Sequence, residues 1–351
     1  MSSGTRIEAD TLPADHPLAS GVKGRLADRS LAQAALPRRA FGAHKWGVGG
    51  LLIIAGSPGF SGAAALCAMA AGRAGAGIVN VAIPHGAASA VTAAAPEAAI
   101  VLLPAGDVSG TARRAADLIK HKMEKSRALV VGPGLGDDEA AEALLAALFG
   151  SAGSQPVIGF GSRRDGRGDG SAPSGLLFTI DLPMVIDADG LNWLAKQPQW
   201  WRLVPERRAV LTPHPAEMAR LLGQSVDEVL EDPAQAVRAA AKRWKQTVVL
   251  KYGYTAASNG DDVIFAASAP LSLATAGSGD VFAGMIGAFL AQGVEPLEAA
   301  GLGIYVGSQA AARVSRSVGT LGTVASDLPL AIAQELAALE GTTGEQGDHN
   351  A

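Results

Sequence analysis

The sequence contains one cysteine and few charged residues. Of its 351 residues, 18% are charged and 48% are hydrophobic, and the formal net charge is −4. Neither a basic stripe nor a basic amphipathic helix is present, which argues against a nucleic-acid or membrane-surface partner. Cys67 cannot form an internal disulfide, which suits a reducing compartment. We therefore expect a globular protein of one large or two medium domains that binds a small-molecule ligand.

Long hydrophobic runs are also missing. No apolar run is long enough to span a bilayer, and the first ten residues contain Arg6, Glu8 and Asp10 with no apolar block after them. These absences predict a cytoplasmic protein that makes no membrane contact.

Short apolar runs alternate with alanine-rich segments from about residue 41 onwards. The runs at 51–54, 78–81, 128–131, 184–186, 209–211, 247–250 and 262–266 are typical of buried strands, and the segments 61–75, 112–125, 137–149, 233–245 and 281–290 are long enough for helices. Strands with almost no polar positions are covered on both faces of their sheet. The pattern predicts an α/β fold with a mostly parallel central sheet between two helical layers.

The composition divides the chain into parts. Residues 1–40 mix proline, alanine, arginine and aspartate with weak periodicity and predict a loosely ordered N-terminal arm. The domain itself is expected over 41–340, with a loop at 150–175 that is rich in glycine, arginine and aspartate. Residues 341–351 are expected to form a polar tail.

The segment Ala274-Thr275-Ala276-Gly277-Ser278-Gly279-Asp280 joins a predicted strand to a predicted buried helix. Free backbone N–H groups at such a helix N-terminus would face an anion, and Asp280 beside them could take a proton from an attacking hydroxyl. This pairing suits phosphoryl transfer to a hydroxyl group. The alternative is that Asp280 and Ser278 only cap the helix.

Two further glycine-rich turns follow predicted strands, at 55–64 and 132–136. The first lacks the Lys-Ser/Thr ending of the nucleotide-triphosphate loop and does not match the dinucleotide fingerprint. Each turn alone could be a tight strand-to-helix connection. Because ligands of open α/β sheets bind beyond the carboxyl ends of strands, the three turns together indicate a large, phosphate-bearing ligand.

His214 and Lys251 also stand at predicted strand ends. Prolines on both sides of His214 fix the backbone and hold its imidazole in place. Glu217 begins the next helix, where capping competes with indirect metal contact. Lys251, which ends another strand before Gly253, could neutralise a nucleotide phosphate or could simply face solvent.

In this order the motifs resemble one family, the ADP- or ATP-dependent NAD(P)H-hydrate dehydratases of the ribokinase-like superfamily. The resemblance covers about 41–340 and implies a ribokinase-like three-layer α/β sandwich. The residues that carry it are His44-Lys45, Ala55-Gly56-Ser57 with Gly62-Ala63-Ala64, Gly132-Pro133-Gly134-Leu135-Gly136, Ile186-Asp187-Ala188-Asp189-Gly190-Leu191-Asn192, Thr212-Pro213-His214-Pro215-Ala216-Glu217, Val249-Leu250-Lys251 and Ala276-Gly277-Ser278-Gly279-Asp280.

The resemblance implies a repair lyase. The hydroxyl of hydrated NADH or NADPH (NAD(P)HX) is phosphorylated by ADP or ATP, and phosphate then leaves to regenerate NAD(P)H, with AMP released when ADP is used. Mg²⁺ is implied as a cofactor, held mostly by phosphate and water rather than by protein ligands. The site residues implied are Asp280 as catalytic base; Ala63, Gly134, His214 and Asp280 for the hydrate; Gly277, Ser278 and Gly279 as anion hole; and Lys251, Tyr252, Gly253, Tyr254, Thr255 and Gly279 for the nucleotide.

The resemblance also implies a homo-oligomer, often a tetramer, and a separate NAD(P)HX epimerase as functional partner. The sequence departs from the family where Tyr252 and Tyr254 flank Gly253, because glycine usually follows the lysine directly. Two alternatives stay open: a small-molecule kinase of the same superfamily that acts on a vitamin precursor alcohol, and a nucleotide-binding regulator without turnover.

Overall fold

The computed structural model describes residues 12–19, 21–104, 108–150 and 175–344. These residues form one sheet with the strand order β1-β10-β9-β8-β7-β6-β5-β2-β3-β4. The strands are β1 (Arg25–Ala27), β2 (Gly50–Ile54), β3 (Ile78–Pro84), β4 (Ala99–Leu103), β5 (Ala128–Val131), β6 (Met184–Ile186), β7 (Ala209–Leu211), β8 (Thr247–Leu250), β9 (Ala256–Ser258) and β10 (Val263–Ala266). Pairing is parallel except where β9 meets β8 and β10.

Helices connect and cover these strands. They are α1 (Arg29–Ala35), α2 (Lys45–Val48), α3 (Ser61–Arg73), α4 (Ala88–Ala94), α5 (Val108–Met123), α6 (Glu139–Phe149), α7 (Asp189–Ala195), α8 (Pro215–Leu222), α9 (Val226–Glu231), α10 (Pro233–Trp244), α11 (Ser278–Ala291), α12 (Pro296–Val318) and α13 (Leu328–Gly344). Short 3₁₀ turns occur at His85–Ala87, Leu176–Phe178, Trp200–Leu203, Leu271–Leu273 and Ala325–Asp327. Within the described ranges, no helix is both long and apolar enough to span a bilayer.

The alternation of side chains along each strand builds two hydrophobic cores. In β2, Leu51 and Ile53 pack with residues of α3, α11 and α12, whereas Leu52 and Ile54 face the opposite layer with residues of α5, α6 and α10. All four side chains are completely buried. The predicted α/β fold, with a mostly parallel sheet between two helical layers, is therefore confirmed.

The order of the strands reverses direction at β2. The chain runs outward from β2 to β3 and β4, and then crosses back to place β5 on the other side of β2. In open parallel sheets, the crevice beyond the carboxyl ends of the strands at such a reversal is the usual ligand site. The glycine turns that follow β2 and β5 lie at this crevice.

The prediction of a loosely ordered arm at 1–40 is wrong for residues 25–35, which form a strand and a helix. β1 pairs in parallel with β10, and α1 packs against α12. Asp28 caps α1, since its side chain accepts a hydrogen bond of 2.8 Å from Leu31 N–H. A strand of three residues and a helix of seven are too short to show a hydrophobic period, which is why the pattern missed them.

The other predicted boundaries have mixed outcomes. The predicted polar tail began at 341, but α13 continues through Gly344. Residues 345–351 and 151–174, which hold the rest of that tail and nearly all of the predicted glycine-rich loop, lie outside the described residues. The two described ends of the loop touch, because a Cβ at Gly175 would overlap the backbone of Phe149. The strand β4 was not predicted at all.

Helices α3 and α11 approach each other closely, and this close approach generates a prediction about stability. A Cβ at Gly284 of α11 would overlap the backbone of Cys67 in α3. We expect Gly284→Ala to lower the free energy of unfolding by about 1–3 kcal/mol through overpacking. Gly62→Ala is the matched control, because nothing lies within 4 Å of its added Cβ. Urea denaturation measures both, and equal stabilities would contradict the close packing.

Candidate active site

The turns after β2 and β5 lie against each other at the crevice. The N–H of Gly56 donates a hydrogen bond of 2.8 Å to the carbonyl of Pro133. Gly134 has a φ of 61°, and a Cβ there would lie only 2.7 Å from the Cβ of Ala63. The structure thus brings together Ala63 and Gly134, two of the residues predicted to bind the hydrate.

The N-terminus of α11 is open. Gly277 precedes the helix with a φ of 89°, and no side chain caps this end. The hydroxyl of Ser278 donates to the carbonyl of Leu273 at 2.8 Å, and Asp280 stands at the third helical position without a capping bond. The alternative that Asp280 and Ser278 serve as caps is therefore wrong. Because the first N–H groups of a helix lack intrahelical partners, they can face an anion here.

Space around Gly277 also restricts the turn to glycine. A Cβ at Gly277 would lie 2.5 Å from Cδ1 of Leu66 and 3.1 Å from the Cβ of Ala325. Together with the positive φ, this contact leaves no room for a side chain. The backbone of the predicted anion hole is held in place by α3 and by the segment before α13.

Lys251 lies beside this helix N-terminus in a largely buried ion pair, with 21% of the lysine side chain exposed. Its Nζ is 2.7 Å from Oδ1 of Asp187, whose side chain is 2% exposed. A Cβ at Gly279 would lie 3.2 Å from Lys251 Nζ and 3.7 Å from Asp187 Oδ2. The alternative of a solvent-facing lysine is thus wrong, and Lys251 and Gly279, both predicted to bind nucleotide, are neighbours.

Asp187 is a site residue to which the sequence analysis gave no role. It follows the buried strand β6, and its N–H donates to the carbonyl of Val131 at the end of β5. Lys251 follows β8 and donates its N–H to the carbonyl of Pro213, just after β7. Two parallel strands that flank β7 therefore deliver the two charges to one edge of the sheet. A buried strand that ends directly in aspartate was the available signal.

The charges around this pair act on one another. Burial raises the pKa of Asp280 to about 6, with Asp187 adding to the shift and Lys251 opposing it. Burial alone would lower the pKa of Lys251, but the carboxylates of Asp187 and Glu217 outweigh it, so that pKa lies above its usual value. A base with a pKa just below neutrality is well suited to accept a proton under physiological conditions.

His214 and Glu217 form a capping box at the start of α8. The N–H of His214 donates to Oε2 of Glu217 at 2.8 Å, and the N–H of Ala216 donates to Nδ1 of His214 at 3.2 Å. Since Nδ1 accepts, the proton of the neutral ring is on Nε2, 3.5 Å from Oε1 of Glu217. Of the two predicted roles for Glu217, capping is confirmed.

Burial also shifts both pKa values of this capping box. It raises the pKa of Glu217 to about 7, although Lys251 opposes the shift. Burial and the ammonium of Lys251 lower the pKa of His214. A neutral imidazole that keeps about half of its side chain exposed can offer its Nε2–H to a ligand.

A cavity of about 360 Å³ adjoins the helix N-terminus. Its lining includes the polar side chains of Lys251, Thr255 and Ser278, and most of its other side chains are apolar. The lining residues are Lys251, Tyr252, Gly253, Thr255, Ser268, Ala269, Pro270, Leu271, Leu273, Ala274, Ser278, Gly279, Val281, Phe282, Met285, Ile304, Gly307, Ser308, Ala310, Leu328 and Ile332. The combination suits a ligand with a charged end and a flat, apolar end.

Most residues of the predicted nucleotide turn line this cavity, but Tyr254 does not. Its ring lies 4.7 Å from that of His16 in an edge-on arrangement, and its hydroxyl donates to Asp15 at 3.1 Å. The side chain of Tyr254 therefore contacts the N-terminal segment instead of the cavity. Nucleotide binding by Tyr254 stays a prediction, and its side chain is not among those that line this cavity.

The described part of the chain holds no cluster of three or more His, Cys, Asp or Glu side chains that could bind a metal ion. The carboxylates of Asp187 and Asp280 nevertheless stand near the open helix N-terminus. This set fits Mg²⁺ that arrives on nucleotide phosphates, because such an ion keeps several waters and needs few protein ligands.

Solved structures share this architecture. The ADP/ATP-dependent NAD(P)H-hydrate dehydratase from Bacillus subtilis, co-crystallized with ATP and Mg²⁺, aligns with a TM-score of 0.71 at 23% identity, over 91% of this chain and 100% of that chain. A ribokinase-like superfamily protein from Enterococcus faecalis V583 aligns with a TM-score of 0.71 at 20% identity, over 90% of this chain and 96% of that chain. The fold is thus ribokinase-like, as the resemblance implied.

Sequence comparison identifies the family within that fold. The family model described as NAD(P)H-hydrate dehydratase matches residues 51–158 and 157–334. The ADP-dependent (S)-NAD(P)H-hydrate dehydratase of Neisseria meningitidis serogroup B is 35% identical over 288 residues, which cover 80% of this chain and 82% of the relative. The chain belongs to the NAD(P)H-hydrate dehydratase family, which confirms the resemblance seen in the motifs.

Other relatives are longer. The bifunctional NAD(P)H-hydrate repair enzyme Nnr of Salinibacter ruber is 36% identical over 297 residues, which cover 83% of this chain and 49% of the relative. The corresponding enzyme of Moorella thermoacetica is 32% identical over 307 residues, or 87% and 52%. The chain therefore spans about half the length of these bifunctional relatives.

The buried ion pair generates a prediction about stability. Asp187→Asn removes the ion-pair partner of Lys251 and leaves Glu217 and Asp280 as the remaining carboxylates near its ammonium, and we expect it to cost about 1.5–3 kcal/mol of unfolding free energy. Asp181→Asn is the control, because it breaks an exposed ion pair with Arg208 and should cost about 0–1 kcal/mol. Urea denaturation of both variants at pH 7 is the measurement. Similar losses would mean that the Asp187 pair is not buried in the way described.

Proposed function

We propose that the protein is an ADP- or ATP-dependent NAD(P)H-hydrate dehydratase, a lyase that converts NADHX and NADPHX to NADH and NADPH. The observation that carries the proposal is the carboxylate of Asp280 at a helix N-terminus that no side chain caps. It lies beside the Lys251 ammonium and a cavity of about 360 Å³. Family membership supports the substrate, and the name of the Neisseria relative supports the use of ADP.

In the proposed reaction, Asp280 accepts the proton of the hydrate hydroxyl. The oxygen attacks the terminal phosphorus of the nucleotide, and the bond from that phosphorus to the bridging oxygen breaks, so ADP leaves AMP. The carbon–oxygen bond then breaks, and phosphate leaves with its electron pair. Loss of a proton from the adjacent carbon restores the ring double bond. Phosphorylation is useful because hydroxide is a poor leaving group and phosphate a good one.

The geometry supports the following binding roles. The N–H groups of Gly279 and Asp280 would face the transferred phosphoryl group, and Lys251 would neutralise the nucleotide phosphates. The apolar part of the cavity would take the base. The pair Ala63 and Gly134, together with His214, would hold the hydrate across the crevice. The co-crystallization of the Bacillus relative with ATP and Mg²⁺ supports a nucleotide as one of the ligands.

Mg²⁺ would be held mainly by nucleotide phosphates and water, with Asp280 and Asp187 as the nearest carboxylates. Its chemistry would be to offset phosphate charge during transfer. A homo-oligomer, a tetramer by family resemblance, and a separate NAD(P)HX epimerase complete the proposal. The relatives named bifunctional repair enzymes support a second repair activity that works together with this one.

The decisive experiment mixes the protein with hydrated NADH and either ADP or ATP, in parallel. We expect NADH absorbance to return in step with free phosphate. A stable phosphorylated alcohol without NADH would instead identify a small-molecule kinase. Nucleotide binding with no phosphate release would identify a regulator without turnover.

Replacement of the proposed base tests the role of Asp280. We expect Asp280→Asn to lower kcat by about 10²- to 10⁴-fold, because only the proton acceptor is lost, while nucleotide affinity changes little. Asp261→Asn, at an exposed position in the β9–β10 turn, is the control and should be as active as the unaltered protein. Near-normal turnover of Asp280→Asn would end the assignment.

The pH dependence of the reaction tests the same group differently. Asp280 must be ionised to accept a proton, and its pKa is raised to about 6. We therefore expect kcat/KM to fall about tenfold per pH unit below pH 6. Glu217, with a pKa of about 7, is the other carboxyl that titrates nearby, so Glu217→Gln should leave the acidic limb in place. Disappearance of that limb in Glu217→Gln would assign it to Glu217 instead.

A further inference from the structure

The N-terminal segment 13–18 forms a compact turn on the outer side of the nucleotide cavity wall, and we call it the strap. The N–H of His16 donates to the carbonyl of Pro13 at 2.8 Å, and the N–H of Ala19 donates to the carbonyl of His16 at 2.9 Å. The N–H of Val22 reaches back to the carbonyl of Pro17 at 3.1 Å. The backbone of the strap is thus fixed by its own hydrogen bonds.

His16 is the centre of the strap and is completely buried. Its Nε2 lies 2.9 Å from the carbonyl oxygen of Ala266, and its Nδ1 lies 3.1 Å from the N–H of Leu18. Since Leu18 donates to Nδ1, Nε2 must carry the proton that goes to Ala266. Both ring nitrogens are used by backbone groups, so the ring has one orientation.

The imidazole ring of His16 also contacts the turn 252–255. Tyr254 packs on His16 with ring centroids 4.7 Å apart, and its hydroxyl donates to Asp15 at 3.1 Å. On the other side, the N–H of Ala266 donates to the carbonyl of Thr255 at 2.8 Å. Ala266 therefore connects the strap to the end of the turn through both of its backbone polar groups.

The inner side of this connection is the cavity. Tyr252, Gly253 and Thr255 line it, and so do Ser268 and Ala269, which lie just after Ala266 in the chain. Gly253 has nothing within 4 Å of where its Cβ would lie, and within the turn the hydroxyl of Thr255 donates to the carbonyl of Tyr252 at 3.3 Å. The contacts of Tyr254 and Ala266 with His16 supply support from outside.

We propose that His16 is a positioning residue for the nucleotide, which sets nucleotide affinity by fixing the turn 252–255 and the segment after β10 without touching the ligand. The inference rests on the proposed function, because it takes the cavity to be the nucleotide site. It also gives Tyr254 a role, since this side chain is the point where the strap holds the turn.

The test is isothermal titration of ADP and ATP into the full chain. We expect His16→Ala to weaken nucleotide binding by about five- to fifteen-fold, as the loss of one buried hydrogen bond and a ring contact predicts. His16→Gln should restore most of the affinity, because its amide nitrogen can donate to the Ala266 carbonyl. Tyr254→Phe, which loses only the bond to Asp15, should weaken binding about two- to four-fold. His121→Ala, at an exposed position of α5, is the control.

Kinetics separate positioning from general destabilisation. A positioning role raises KM for the nucleotide in His16→Ala and leaves KM for the hydrate within about twofold. Equal rises in both constants, or nucleotide affinity unchanged in His16→Ala and Tyr254→Phe, would overturn the proposal. If His16→Ala does not fold, Tyr254→Phe decides the matter alone. Failure of the unaltered protein to bind any nucleotide would count against the proposed function instead.

Discussion

The ion pair of Lys251 and Asp187 is the interaction on which the arrangement of the site depends. Three neighbouring strands, β6, β7 and β8, end at one edge of the sheet, and the pair spans the end of the middle strand. Its ammonium lies against Gly279 at the open start of α11. Without Asp187, a buried lysine beside the positive end of a helix dipole would be strongly disfavoured. With it, the ammonium stays charged where an anion can bind.

Burial sets the protonation of the carboxyl groups around this pair, and the Lys251 ammonium opposes it. Glu217 is buried and Asp280 is partly buried, and Lys251 attracts both carboxylates, yet their pKa values, about 7 and about 6, lie above the usual range because burial outweighs that attraction. Carboxyls that titrate near neutrality can take up and release protons during turnover. The site combines a fixed positive charge with nearby groups whose charge can change.

The sequence allowed accurate prediction of those parts of the fold that bury continuous apolar runs. The bounds of β2, β5 and β8 were predicted within a residue, since a strand that is covered on both faces is apolar along its whole length. β1 and α1 were missed because an edge strand of three residues carries no period. β4 was missed because two of its five residues are exposed and its surroundings are alanine-rich.

The site was predicted to a similar extent. Motif residues such as Gly134, Lys251 and Gly279 lie at one edge of the sheet, because the ends of parallel strands meet there. Which side chains would pair across that edge depends on strand order, which the sequence does not reveal. For that reason the role of Asp187 and the outward direction of Tyr254 emerged only from the three-dimensional arrangement.

The contact between Gly175 and Phe149 has a consequence for how this chain can vary in length. Helix α6 runs back from the carboxyl edge of the sheet, so its last residues lie at the edge opposite to the crevice. Because the two ends of segment 150–175 already touch there, lengthening the chain between them moves neither end. For a flexible chain between two fixed ends, each doubling of its length costs only about 0.6 kcal/mol of closure entropy. The fold therefore has a place for added sequence, such as an inserted tag or reporter domain, on the side of the sheet away from its chemistry.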